Sequence, residues 1–188
     1  MPRDVYAVLL HYPVTDKQGD VVSTSITNLD IHDISRASRT FGLKRYFLVT
    51  PIEPQQWLAK RIIHHWDEGW GSTYNPNRKD ALGIIEVASD LGAVSTIIAE
   101  ISGAQPKWVT TSAKSYPNSV TFSQMRSIIE SDDGPPICLM FGTGWGIHPE
   151  IMLESDYVLE PIRGAGDYNH LSVRSAASII FHELLGRR

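Results

Sequence analysis

Two glycine clusters lie close together in the last third of the chain, each directly after a short apolar run. Ile137 to Phe141 leads into Gly142, Gly144 and Gly146. Asp156 to Glu160 leads into Pro161-Ile162-Arg163-Gly164-Ala165-Gly166, and an apolar-periodic segment, Leu171 to Leu185, follows. Glycine is needed where the chain turns with positive φ or comes close to a ligand. A buried strand that stops on glycine leaves bare backbone N–H and C=O groups at the carboxyl edge of a sheet. Two such edges beside a helix start make a crevice of the kind that holds nucleotides in open α/β sheets. The stretch from Ile137 to His182 is therefore the part the other elements must position.

Those elements alternate along the chain. Val5 to His11 is an apolar run of strand length, and Tyr12 to Thr27 is polar and loop-like. Asn28 to Gly42 reads as a helix that Asn28 or Asp30 could cap, with Ile31, Ile34, Ala37, Ser38 and Phe41 on one face. Arg36 and Arg39 fall off that stripe, and Asp33 stands at pairing distance along the helix from Arg36. Arg45 to Thr50 is a second strand. Pro54 opens a helix reaching Trp66, with Trp57, Leu58, Arg61, Ile62 and His65 on its stripe. Asp67 to Arg78 reads as a loop. Its Trp70 and Tyr74 either tuck over the core edge or, with Arg78 and Lys79, stack on a base. Ile84 to Ala88 is a strand, Asp90 to Ile101 a helix, and Trp108 to Thr111 a strand whose end presents the hydroxyls of Thr110, Thr111 and Ser112 to a nucleotide. A helix from Val120 to Ile129 and the loop Asp132 to Pro136 complete the alternation. Strand and helix in repeated alternation predict an α/β fold, a mostly parallel sheet with helices on both faces.

Composition narrows the function classes. The 188 residues suit one domain spanning 1–188, and 42% hydrophobic with 20% charged residues describes a soluble globular chain. The net charge of −4 is uneven: residues 1–80 sum to +1 and residues 81–188 to −5, so a polyanion surface is expected on the N-terminal half. The single cysteine, Cys138, lies in an apolar run and is expected to be a buried, inert thiol. His64 and His65 are adjacent and point about 100° apart on a helix, so no metal site is expected there. No secretory leader and no membrane span is evident, and a cytoplasmic protein is expected.

Three segments resemble the motifs of the SPOUT superfamily of RNA methyltransferases. Asp30-Ile31-His32-Asp33-Ile34-Ser35-Arg36-Ala37-Ser38-Arg39-Thr40-Phe41-Gly42 looks like the first motif, with Arg36 on the family's catalytic arginine and Asp30 where an asparagine is usual. Leu139-Met140-Phe141-Gly142-Thr143-Gly144-Trp145-Gly146-Ile147 looks like the second, without its frequent glutamate. Pro161-Ile162-Arg163-Gly164, then His170-Leu171-Ser172-Val173-Arg174-Ser175-Ala176-Ala177, looks like the third, with Ser172 for an asparagine and Arg174 for a serine. Gly146-Ile147 followed by Asp156-Tyr157-Val158-Leu159 is also similar to the branch that methylates N1 of a tRNA guanine.

The resemblance implies a C-terminal trefoil knot, a homodimer whose sites are completed by the partner chain, and S-adenosylmethionine as methyl donor. It implies that Phe141, Gly142, Thr143, Gly144, Gly146, Leu159, Pro161, Ile162, Gly164, His170, Leu171 and Ser172 surround the cofactor, and Thr110 and Thr111 are added to them as hydroxyls at a strand end. Arg36 is then the catalytic group, with Arg39, Asn169 and Arg174 toward the RNA. The expected reaction is methylation of a ribose 2′-hydroxyl of tRNA or rRNA. The alternatives are a tRNA guanine N1 enzyme, for which Asp167 is the candidate near the base, and a non-catalytic RNA- or nucleotide-binding module.

Overall fold

The computed structural model describes residues 3–131 and 134–187; Asp132 and Asp133 of the anticipated loop lie outside them. In chain order the elements are β1 (Val5–Leu10), β2 (Val14–Thr15), β3 (Val21–Val22), α1 (Asn28–Thr40), β4 (Tyr46–Val49), α2 (Glu53–Asp67), α3 (Trp70–Tyr74), α4 (Pro76–Leu82), β5 (Ile85–Ala88), α5 (Leu91–Ser102), β6 (Lys107–Thr110), α6 (Phe122–Glu130), β7 (Ile137–Gly142), α7 (Pro149–Glu154), β8 (Tyr157–Val158) and α8 (Val173–Leu185). Six strands form one sheet in the order β5-β4-β1-β7-β6-β8, and every pairing in it is parallel. β2 and β3 make a separate antiparallel hairpin.

β1 is buried along its whole length because both faces of the sheet are covered, which is why it reads as an unbroken apolar run. Alternate residues of each strand feed opposite cores. Ala7, Leu9, Leu48, Leu139 and Phe141 pack with Ile31 and Ile34 of α1, Ala59 of α2, Leu82 of α4, Met125 of α6 and Phe181 of α8. On the other face Tyr6, Val8, Leu10, Phe47 and Met140 pack with Val94 and Ile98 of α5 and Met152 of α7. Cys138 lies in this second core, and burial pushes its thiol well above its ordinary pKa, as an inert thiol requires.

The chain builds outward from β1 through β4 to β5, crosses back, and inserts β7 between β1 and β6. The direction of winding therefore reverses beside β1, and the strands end in register there: Leu10 is level with Val49 and with Gly142, and Thr110 with Val158. That edge is where an open parallel sheet exposes loop backbone to a ligand.

Several local expectations change. Thr27 caps α1, accepting from the Asp30 N–H at 3.2 Å, in place of Asn28 or Asp30. The anticipated loop 67–78 contains α3 and the start of α4. Asn75 caps α4 through the Arg78 N–H at 3.1 Å and Pro76 occupies its first turn, a start signal too short to show in hydrophobic periodicity. Tyr12 to Thr27 contains the β2–β3 hairpin, and His148-Pro149 starts the unanticipated α7. The terminal helix begins at Val173, two residues later than the apolar pattern, because the Ser172 hydroxyl accepts from the Ser175 N–H at 3.2 Å.

Phe181 fastens α8 to the sheet. It is fully buried, edge-on to Phe141 at 5.6 Å and tilted against Phe41 of the α1 terminus at 6.4 Å. Replacing it by alanine leaves a cavity between three elements. Phe181→Ala is expected to lower the unfolding free energy by about 3–5 kcal/mol, read as a reduced midpoint in urea denaturation.

Candidate functional site at the carboxyl edge

The glycine loop after β7 is folded tightly onto the hairpin. The Trp145 N–H donates to the Thr15 carbonyl at 2.9 Å, and the Thr15 N–H donates to the Gly146 carbonyl at 3.0 Å. Gly144 has φ +58°, and a Cβ there would lie 2.9 Å from the Thr15 oxygen. A Cβ on Gly142 would meet Ile147 at 2.7 Å. These glycines are thus required by backbone packing whether or not a ligand is bound. The Thr143 hydroxyl donates to the Leu10 carbonyl at 3.1 Å and also contacts the Thr24 hydroxyl, so its side chain faces β1.

The hydroxyls of Thr110 and Thr111 are engaged as well, which corrects the expectation that they are free to donate to a nucleotide. Thr110 is fully buried and binds the Tyr157 carbonyl at 3.2 Å and the Ser155 hydroxyl at 3.0 Å. Thr111 donates to the Met140 carbonyl at 2.9 Å. Both tie neighbouring strand ends together.

What the edge does offer is the segment after β8. Leu159 is buried, and its N–H donates to the Thr110 carbonyl at 2.9 Å; the Glu160 N–H donates to the Val120 carbonyl at 2.9 Å. Among the described residues, no backbone group from residue 161 to residue 171 makes a backbone–backbone hydrogen bond. Two side-chain ties hold this strip to the β6–α6 connection: Arg163 donates to the Ser115 hydroxyl at 2.8 Å, and the Asn169 amide donates to the Ala113 carbonyl at 3.0 Å. Asn169 therefore holds loop to loop, and Arg163 does not pair with Glu160, whose carboxylate takes the Phe122 N–H. Pro161 is buried, and Ile162 and Val173 pack on the core that contains Phe141. Leu171 is 46% exposed, His170 is exposed and lies edge-on to Tyr168 at 5.4 Å, and nothing stands within 4 Å of a Cβ built on Gly164 or Gly166. Among the described residues the strip thus leaves backbone N–H and C=O groups without backbone partners at an exposed part of the edge, the kind of donors and acceptors a ligand can use.

A second set of residues gathers on the α1 side. Arg174 at the start of α8 donates to Asp30 Oδ1 at 3.0 Å and lies 3.4 Å from Asp33 Oδ2. The other Asp30 oxygen takes the Thr27 hydroxyl at 2.6 Å, and Asp30 is only 4% exposed. The partner of Asp33 is thus Arg174, and the pairing with Arg36 that helical spacing allowed is not formed. Arg39 is tied to Asp80 of α4 at 2.8 Å. Neither Arg39 nor Arg174 is free for a substrate without giving up a carboxylate. Arg36 is exposed and, among the described residues, has no ion-pair partner. It borders two clefts. One, about 780 Å³, lies between α1 and α8 and includes Ser172 and Ser175. The other, about 540 Å³, lies between α1, α2 and α4.

His11 was read only as the end of a strand. It lies just past β1 at the centre of the edge and is fully buried. Its Nδ1 faces the Thr24 hydroxyl at 3.0 Å, and its Nε2 has no hydrogen-bond partner. Burial lowers its pKa to about 4, against an opposing pull from Asp30. A histidine closing an otherwise apolar run was the available signal.

Comparison with known proteins gives four consistent findings. Residues 4–186 match the family model described as SAM-dependent RNA methyltransferase. An uncharacterized protein of Aquifex aeolicus is 41% identical over 98% of this chain and 90% of its own length. A protein of Nitratidesulfovibrio vulgaris named tRNA (guanine-N(1)-)-methyltransferase is 45% identical over 98% of this chain, but this chain spans only 42% of it. In fold, the chain is similar to the SpoU methyltransferase AviRb of Streptomyces viridochromogenes in complex with AdoMet, at TM-score 0.58 and 14% identity over 98% of this chain and 58% of that one.

The buried imidazole makes stability depend on pH. In the unfolded chain His11 takes a proton below its ordinary pKa of 6.5, whereas in the folded chain it stays neutral down to about 4. The unfolded state therefore binds more protons across that window, and stability falls as the pH drops from 6.5 toward 4, by a total on the order of 3 kcal/mol. Urea unfolding at a series of pH values is expected to show this slope, and His11→Asn is expected to flatten it.

Proposed function

Because the chain belongs to the S-adenosylmethionine-dependent RNA methyltransferase family, we propose that, like the SPOUT enzymes whose motifs it resembles, it transfers the methyl group to a ribose 2′-hydroxyl of tRNA or rRNA, with Arg36 at the acceptor. The cofactor is S-adenosylmethionine, which supplies an already activated methyl. The work left to the protein is to orient the two substrates and to help the acceptor lose its proton.

The observation that supports this reading best is the strip 161–171, whose backbone groups are unpaired beside the ends of β6 and β8. On this reading Leu159, Pro161, Ile162, Gly164, His170, Leu171 and Ser172 hold the adenosyl group, Phe141 supplies the floor, and Gly142, Thr143, Gly144 and Gly146 act by setting the backbone path. Thr110 and Thr111 keep the strand ends aligned. The sequence 1–188 then works as one methyltransferase domain, and the C-terminal passage through 159–172 is the knotted part of the SPOUT fold. The stitching of that passage to residues 113–120 supports the threading.

A guanidinium is a standing cation in proteins, so Arg36 acts by stabilising negative charge on the acceptor oxygen or its phosphate and not as a free base. Its exposure and lack of a carboxylate partner leave the guanidinium available for that task. We place two copies of the chain in the working enzyme, with Arg36 of one serving the cofactor of the other.

The second reading, a guanine N1 base methyltransferase, is favoured by the name of the 45% identical relative. More than half of that protein lies outside the match, so its name describes a larger molecule than this chain aligns with. The exposed Asp167 would then face the base.

Digestion of enzymatically methylated RNA to nucleosides is expected to give a 2′-O-methylated nucleoside; recovery of 1-methylguanosine instead would establish the second reading. Arg36→Ala is expected to lower methyl transfer by about 100-fold while cofactor affinity, measured by calorimetry, stays within a few-fold. Mixing Arg36→Ala protein with a variant unable to bind cofactor is expected to restore part of the activity if the arginine works across a dimer.

A further inference from the structure

The groove between α1, α2 and α4 is unlike the carboxyl edge: it is lined by side chains, and most of them are cationic or aromatic. Arg36, Arg61 and Arg78 face it together with His32, His65 and Trp66. The sole carboxylate in its lining, Asp33, lies 3.4 Å from Arg174 Nε. Two acidic residues of the neighbouring helices are matched to other cations, Asp67 to Lys79 at 3.9 Å and Asp80 to Arg39 at 2.8 Å, and Glu68 lies 3.5 Å from the His64 ring. Among the described residues no ion pair involves Arg36, Arg61 or Arg78. Three guanidiniums without carboxylate partners around one open groove leave a local excess of positive charge on a chain whose net charge is −4.

The arginines are also held in place by rings. Arg78 lies 4.5 Å from the centre of the Trp66 ring, and Arg61 lies 5.7 Å from that of Trp57. A guanidinium over a ring keeps its N–H edge available to a phosphate. Trp66 is further fixed edge-on by His32 at 5.5 Å and His65 at 5.2 Å. His32 Nδ1 is buried with no hydrogen-bond partner, an open polar position beside the same groove. Next along the chain, Trp70 and Tyr74 of α3 stack on each other at 4.9 Å, each 69% exposed. Large exposed rings next to unpaired arginines are the composition by which proteins hold unpaired nucleotides, phosphates on the cations and bases on the rings.

We propose that the groove between α1, α2 and α4 captures a single-stranded stretch of the RNA substrate, with phosphates on Arg61 and Arg78 and bases on the aromatic surface of Trp57, Trp70 and Tyr74, and delivers the strand toward Arg36. This rests on the chain acting on RNA and not on which atom is methylated. A duplex cannot use the rings, because its bases are stacked inside, so the site selects loops or ends. The α2–α4 segment thus gives the protein an RNA-holding surface of its own, separate from the cofactor strip.

The test uses the full chain and a fluorescein-labelled single-stranded RNA of about 12 nucleotides, followed by anisotropy over a range of salt concentrations. The Arg61→Glu/Arg78→Glu variant is expected to bind this RNA at least 10-fold more weakly, with the slope of log affinity against log salt reduced by about 1.4 for two lost phosphate contacts. Trp70→Ala/Tyr74→Ala is expected to weaken binding several-fold with an unchanged salt slope, since stacking releases no counterions. Both variants are expected to keep the wild-type melting temperature and the wild-type affinity for S-adenosylmethionine. Unchanged RNA affinity and salt slope in the charge-reversed variant, with cofactor still bound, would overturn the capture site alone. Equal affinity of the wild type for a hairpin stem and for the single strand would overturn its selectivity for unpaired RNA. Wild-type protein that binds RNA but not S-adenosylmethionine would instead count against the methyltransferase reading and leave the groove standing.

Discussion

The buried ion pair between Asp30 and Arg174 joins residues 144 positions apart, and much of the site's geometry depends on it. A carboxylate that is almost wholly removed from water is stable only with a close cation and with its remaining lone pairs satisfied. Arg174 supplies the cation and the Thr27 hydroxyl takes the second oxygen. The pair ties the start of α1, the helix that bears Arg36, to the start of α8, the helix that follows the strip 161–171. The departures from the SPOUT motifs at these positions now look coupled. An aspartate in place of the usual asparagine would be costly alone, and an arginine in place of the usual serine would lack a purpose; together they make one contact. Its effect reaches His11 as well, since the Asp30 charge partly opposes the burial that keeps that imidazole neutral.

A parallel sheet covered on both faces leaves its edges as the places where backbone can meet a ligand. At the carboxyl edge the loops divide the labour unequally. The loop after β7 uses its hydrogen bonds on Thr15 and Leu10, and its glycines make that close packing possible. The strip after β8 keeps its own backbone groups unpaired and is held in position by side chains, Arg163 and Asn169, at two points. The first loop is therefore closed by its own packing, whereas the second leaves its donors and acceptors open. The hydroxyls of Thr110 and Thr111 are engaged as well, because they bind neighbouring strand ends.

The layers of the fold were legible in the sequence because they rest on strong periodic signals. The runs at Val5, Tyr46, Lys107 and Ile137 are buried strands, and α1, α2, α5, α6 and α8 fall where helical spacing put them. What periodicity could not show was short or long-range. The helices α3, α4 and α7 span five to seven residues, too few for a stripe, although Asn75-Pro76 and His148-Pro149 marked two of their starts. The partner of Asp33 could not be read from local spacing, which allows Arg36, because Arg174 approaches from another helix. The glycine clusters were visible as clusters. Only coordinates reveal that one is fixed by its neighbour β2 while the other is open.

Arg36 sits where these two regions meet, and its position follows from the helix it stands on. α1 buries Ile31, Ile34 and Ser38 against the sheet, and Arg36 falls on the solvent side between them. On one flank of that helix is the cleft shared with Ser172 of α8; on the other is the groove shared with Arg61 and Arg78. The neighbouring arginines cannot take this place, since Arg39 is held by Asp80 and Arg174 by Asp30. Among the described residues the Arg36 guanidinium has no carboxylate partner, and it alone of the three arginines borders both clefts while unpaired. On the reading proposed above, a strand lying in the groove and reaching toward the α8 cleft would meet this one cation at the boundary, where it would hold a phosphate and steady charge at the neighbouring acceptor.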